Sequence, residues 1–291
     1  MGTPRYAKQS SRIVVLFLLG GASLPVLAQN VRSVQHPQID PNRLARAVFH
    51  NEIEAQNHDQ SLWSYRELKE DHGATELFAV CQTSEGEIDR LLAVNGHKLN
   101  PRQRNADDQR IQKMLHDPGE IRKAQKEQQE DSRQTQNLMR MFPQAFRFQY
   151  DGTQGNFIRL KFTPDPDFHP TGRPAQVFHH MEGSLLLDRR QKRLVEIRGQ
   201  LTSDVLFLGG LLGHLEKGGT FFVKQQDLGS GHWELTAMNI QINGKALLFK
   251  TLTVCEREAY ANYRQVPDRL TLQQAFTLLK EAPSVQLSSL R

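Results

Sequence analysis

The sequence has 291 residues, with 37 Lys and Arg against 32 Asp and Glu and a formal net charge of +5. Arg5, Lys8 and Arg12 stand at its start, so the rest of the chain carries only +2. The overall positive charge is thus a poor argument for nucleic-acid binding, which needs a clustered basic face, and no nucleic-acid partner is expected.

The opening stretch MGTPRYAKQSSRIVVLFLLGGASLPVLAQ places those cations before an apolar run, Ile13 to Leu19, and closes on Val26-Leu27-Ala28. This is the layout of a secretory signal peptide, so residues 1–28 are expected to be removed near Ala28, leaving a product in the periplasm or outside the cell. The apolar run is broken by Gly20, Gly21, Ser23 and Pro25 and falls short of the ~20 residues a spanning helix needs. A lipid-anchored precursor would need a cysteine just after the cleavage point, and Cys81 and Cys255 lie elsewhere.

The remainder reads as one domain over residues 29–267, with a C-terminal helix and tail over 268–291. From Asp40, apolar Leu44, Ala45, Val48, Phe49 and Ile53 recur at helical spacing, with Asp40 as N-cap and Pro41 at the first helical position. SLWSYRELKED and ATELFAVCQTSEG follow as a hairpin around His72-Gly73, and EIDRLLAVNGHKL gives a third strand ending at Asn95-Gly96. Residues 101–142 form a polar insertion, helical and broken at Asp117-Pro118-Gly119, with Ile111, Met114, Leu115, Leu138, Met141 and Phe142 as its few packing positions.

After the insertion the chain is almost wholly strand. Phe146, Phe148 and Tyr150, then Ile158, Leu160 and Phe162, then Val195, Ile197 and Leu201, alternate with polar neighbours such as Glu196 and Arg198. Such period-two patterns mark antiparallel sheets with one apolar and one wet face. Further strands run through TFFVKQQDL, HWELTAMNIQING and KALLFKTLTVCERE, with turns at LGSGH and NGK. A parity change between Ala237 and Met238 predicts a bulge. In the tail, Thr271 and Gln274 make a capping box ahead of an apolar face of Leu272, Ala275, Phe276 and Leu279. The expected fold is mainly β (α+β): a curved antiparallel sheet or unclosed half-barrel, with helices covering the concave face.

Catalytic signatures are missing from the sequence, which has no Gly-x-Ser-x-Gly, His-Glu-x-x-His, Cys-x-x-Cys or phosphate-binding glycine loop. No catalytic residue, metal or cofactor is assigned. His179 and His180, read as adjacent strand residues, would point to opposite faces and so could not share a metal. An enzyme would be favoured only if His180, Glu182 and His214 met in one pocket. The basic run Asp188 to Arg193 reads as a solvated hairpin turn. Cys81 and Cys255, both in strand-like stretches, leave two alternatives open. A disulfide closing so long a loop would stabilise by about 5 kcal/mol in the chain-entropy model; the other alternative is two buried free thiols.

The signal peptide, the early helix and the stretches SYRELKED, MEGSLLLDRRQKRLVEIRGQL and GKALLFKTLTVCEREAYANYRQV resemble secreted bacterial proteins related to the periplasmic lipoprotein carriers and outer-membrane lipoprotein-sorting proteins. LGGLLGHLEKGGTF is similar to a segment of an uncharacterised branch of such proteins. The resemblance implies an unclosed antiparallel barrel, plugged by helices, that receives acyl chains. The chain departs from the carriers in its polar insertion and in its Gly-Leu-rich segment.

That segment, DVLFLGGLLGHLEKGGTF, is too apolar for an ordinary loop. Three readings stand open: an acyl pocket lined by Leu206, Leu208, Leu211, Leu212 and Leu215; plain core; or an exposed patch that makes transient membrane contact or binds a partner. The function expected is that of a secreted, non-enzymatic binding protein for a lipid, an acyl chain or a lipoprotein. The alternative is an envelope sensor or scaffold that binds another protein through residues 102–140.

Overall fold

The computed structural model describes residues 39–170, 172, 174–207, 213–246 and 250–281. The predicted signal peptide and the last part of the tail lie outside the described residues. In chain order the elements are α1 (Pro41–His58), β1 (Leu62–Asp71), β2 (Ala74–Thr83), β3 (Gly86–Val94), β4 (His97–Lys98), α2 (Pro101–Leu115), α3 (Pro118–Ala145), β5 (Phe146–Gln154) and β6 (Phe157–Pro164). A 3-10 helix (Pro174–His180) leads to β7 (Met181–Asp188), β8 (Arg193–Leu201), β9 (Val205–Phe207), β10 (Gly213–Leu215), β11 (Thr220–Asp227), β12 (Trp233–Ala246), β13 (Lys250–Val266) and α4 (Leu272–Glu281). The fold is mainly β, with antiparallel, unclosed sheets and a few helices, as the alternating patterns predict.

Local signals place the element ends. The Arg43 N–H donates to Asp40 Oδ1 at 2.8 Å, so Asp40 caps α1. Asn100 and Gln103 form a reciprocal capping box on α2. Asp117 Oδ1 accepts from the Gly119 and Glu120 N–H groups, which both breaks the insertion and starts α3. Thr271 and Gln274 cap α4 in the expected reciprocal way. The dipeptides His72-Gly73 and Asn95-Gly96 have positive φ at both residues, the geometry of a two-residue hairpin turn whose twist matches that of the strands.

The chain forms two compact units where the sequence suggested one domain. The first holds residues 59–137 and 258–281 of the described chain, and the second holds 39–58 and 138–257. In the first unit the strand order is β4-β3-β2-β1-β13, and α2 and α4 pack on β2 and β3. Its core joins Ala79, Cys81 and Ile88 of the sheet to Ile111 of α2 and to Leu272, Ala275, Phe276 and Leu279 of α4. Arg110 ties α2 to β3 by bridging Asp107 at 2.9 Å and Asp89 at 3.3 Å.

In the second unit β5-β6-β7-β8 form a meander, β11 packs against β8 and also pairs with β12, and β12 continues to β10 and β9. Helix α1 packs on β5 and β8. The core is a phenylalanine cluster around the fully buried Phe142, whose ring lies 4.8 Å from Phe49, 4.6 Å from Phe146 and 5.1 Å from Phe162. Pairs in this geometry stabilise by about 0.5–1.5 kcal/mol beyond the area they bury.

Four local expectations are corrected. His179 and His180 end a 3-10 helix, and the strand begins only at Met181. The three-residue period of that helix sets Ala175 and Phe178 on one side, and both are buried. Glu196, read as a wet-face residue, is 9 % exposed. The pairing shifts between Leu186 and Leu187, leaving Val195 as the extra residue of a bulge beside it, and Arg198 bonds the Glu196 carboxylate. The bulge in β12 falls at Thr236, since Lys224 pairs with Ala237 and Gln225 with Leu235. Asn243-Gly244 makes no turn. β12 runs straight through it, because a glycine there lets β10 approach; a Cβ on Gly244 would stand 2.3 Å from the His214 carbonyl oxygen.

Candidate functional site

The Gly-Leu-rich segment is framed by a short hairpin. Val205 pairs with Leu215, Leu206 with His214 and Phe207 with Gly213, and β10 is fixed in turn to Gly244–Ala246 of β12. The Lys217 N–H donates to Asp204 Oδ1 at 2.6 Å, closing the base. Val205 and Leu215 are core, whereas Leu206 on the opposite side is 56 % exposed. Leu208, Leu211 and Leu212 lie outside the described residues. Of the five leucines singled out, the structure thus places one in the core and one on the surface.

The histidines do not gather. His180 Nδ1 lies 2.8 Å from the Ser203 hydroxyl, and burial, then the neighbouring His179, lowers its pKa. Glu182 accepts a hydrogen bond from Gln200, while His214 Nε2 is 3.9 Å from Glu216. Among the described residues, no group of three or more His, Cys, Asp or Glu side chains is placed to hold a metal ion. Cys81 is a buried free thiol and Cys255 an exposed one. An open groove of about 360 Å³ runs along α3 beside Gln128, Gln129, Ser132, Arg133 and Gln136.

Sequence reasoning missed a second constellation, in the first unit. Alternation along β1 puts Trp63, Tyr65, Glu67 and Lys69 on one face. Tyr263 of β13 stacks on Tyr65 at 5.0 Å and meets Trp63 edge-on at 6.1 Å, and Tyr260 lies 6.0 Å from Tyr65. Lys69 Nζ sits between two carboxyl groups, 3.4 Å from Glu67 Oε1 and 3.5 Å from Glu258 Oε1. The Tyr260 hydroxyl donates to Glu258, and that of Tyr65 to Glu87 Oε2 at 3.1 Å.

Glu67 is 3 % exposed, and its Oε2 has no hydrogen-bond partner among the described residues. Burial pushes its pKa up to about 8 against the pull of the Lys69 cation, with the charges of Glu258 and Glu87 adding to the rise. At neutral pH this carboxyl is therefore a neutral acid with a hydroxyl to donate. Burial also raises the Tyr260 phenol well above its usual range. The result is an aromatic face carrying a lysine and a protonated acid. The signal that could have shown it was the shared parity of Trp63, Tyr65, Glu67 and Lys69.

The fold and these features define a mainly β protein with an anchored apolar hairpin in one unit and a buried aromatic and carboxyl face in the other. No protein-family model matches the sequence, and no curated protein matches it. Among solved structures, the crystal structure of a DUF1329 family protein from Desulfovibrio piger matches 83 % of this chain and 100 % of its own length, at 8 % identity and a TM-score of 0.28. At that level the likeness sets neither a family nor a function.

Proposed function

We propose that this chain is an exported, non-enzymatic binding protein of the cell envelope whose ligand is a lipid, an acyl chain or a lipoprotein. The reading is supported by the β9–β10 pair, which is anchored through buried Val205 and Leu215 and turns Leu206 to solvent, two residues ahead of the sequence Leu-Gly-Gly-Leu-Leu at 208–212. Each leucine moved from water into an apolar contact gains roughly 1.5–3 kcal/mol, so such a sequence favours an apolar partner. Among the described residues no helix is long and apolar enough to cross a membrane.

The test is native mass spectrometry of protein recovered without detergent, beside a variant with Leu206, Leu208, Leu211 and Leu212 changed to Ser. A lipid mass on the parent and its loss from a variant of unchanged circular dichroism are expected. Ligand-free masses from both folded proteins would refute the proposal.

One observation favours a second reading, a scaffold that binds another protein through residues 102–140. In α3 only Phe142, Pro143 and Ala145, at its C-terminal end, are buried. A protein partner lost on charge reversal at Arg133, with lipid retention unchanged, would favour the scaffold.

A further inference from the structure

On β1, the face opposite Tyr65 and Glu67 carries Arg66. Its neighbour across the sheet is Ala79, and beyond Ala79 stands Arg90. On the other side, Tyr263 stacks on Tyr65, so the next residue of β13, Arg264, turns to the face of Arg66. Arg264 and Arg66 thus lie side by side, next to the buried Ala79.

Arg90 has its own partners, Asp108 at 3.1 Å and the Leu279 carbonyl at 3.3 Å, and Lys280 also draws on Asp108 at 3.6 Å. Arg66 has none. It is 7 % exposed, and its Nε is fully buried with no acceptor among the described residues. Burial, then the charge of Arg264, lowers its pKa, and no acid opposes them. A guanidinium does not shed its proton in a protein, so Arg66 stays a buried cation. Buried charges are ordinarily paired.

We propose that Arg66 and Arg264 form a binding site for a phosphate or carboxylate group. The planar fork of a guanidinium matches both oxyanions with two parallel hydrogen bonds, and a second arginine adds charge without adding a competing acceptor. Beside the pair lies a small apolar cluster, buried Leu77 and Ala93 with half-buried Leu68, Leu92 and Ala261. The oxyanion is therefore either a free ion or the head of an amphiphile whose apolar part lies on that cluster. The site stands independently of the acyl-binding hairpin, because it belongs to the other unit.

The test is isothermal titration of the full chain with inorganic phosphate and with dodecyl phosphate below its micelle concentration, at constant ionic strength in chloride. Parallel titrations use Arg66→Met and Arg264→Gln. Saturable binding by the parent is expected, weakened at least about tenfold in each variant, since each removes charge-assisted hydrogen bonds. Arg66→Met should also melt higher than the ligand-free parent, because it removes an uncompensated buried charge. If Arg66→Met fails to fold, the exposed Arg264→Gln decides alone. Dodecyl phosphate binding at least about tenfold tighter than phosphate assigns the site to an amphiphile, and equal affinities assign it to the free anion. No saturable binding of either probe, or undiminished binding by Arg264→Gln, would overturn the site.

Discussion

Glu67→Gln becomes progressively more stable than the parent protein as pH rises from 4.5 to about 8, by a limit on the order of 5 kcal/mol. The carboxyl titrates near 4.5 when free and near 8 in the folded protein, chiefly because burial disfavours its charge. Below pH 4.5 it is protonated in both states and its stabilising effect is fully present. Between the two values unfolding releases a proton, so stability falls as pH rises, by at most ~1.4 kcal/mol per pH unit. Above pH 8 that contribution is lost. Glutamine keeps the shape and cannot ionise, so the variant should lack this slope. Urea unfolding of both proteins at intervals from pH 5 to 9 gives the difference curve, in which groups common to both cancel. Parallel stability curves would show that Glu67 ionises normally and that its neighbours solvate it.

Glu52→Ala should cost roughly 3–5 kcal/mol, the range for breaking a buried ion pair from one side. Glu52 lies in α1, almost fully buried, and holds β8 and β11 of the same unit. Its Oε1 accepts from Arg193 Nε at 2.8 Å and from the Leu194 N–H at 2.6 Å; its Oε2 accepts from Arg193 Nη2 at 3.1 Å and from Gln225 at 3.0 Å. Arg193 is itself shielded, lying 5.5 Å over the Trp233 ring. Truncating the glutamate leaves a shielded cation and a backbone donor without their acceptor. Removing the cation as well, in Glu52→Ala with Arg193→Met, should recover a large part of the loss. A double-mutant cycle by chemical denaturation reads the coupling, and additive losses would mean that the pair does not act as a unit.

What was legible in the sequence was local. The hairpin around His72-Gly73, the break at Asp117 and the capping box at Thr271 each depend on residues within a few positions, and each appears as read. The alternation of Ile158, Leu160 and Phe162 likewise marked a buried face correctly. What failed depended on distant partners. Asn243-Gly244 has the composition of a turn, and only the approach of β10 explains why the strand passes through it. His179 and His180 lead into a run that alternates like a strand, but the burial of Ala175 and Phe178 on one side selects the tighter helix. Glu67 and Glu258 share one lysine because β1 neighbours β13, an adjacency that no spacing in the sequence encodes. Among the five leucines, Leu206 and Leu215 differ in exposure because strand parity sends them to opposite sides of one hairpin.

The two thiols differ enough to serve as a clock. Cys255 is exposed, whereas Cys81 is sealed in the core of the first unit with its pKa pushed up to about 11 by burial and, secondarily, by Glu87. The thiolate is the reacting species, so a maleimide at neutral pH marks Cys255 and spares Cys81 while that core holds. A second adduct then records each opening of the first unit, and the rate at which the mass gains it reports local unfolding without any engineered probe.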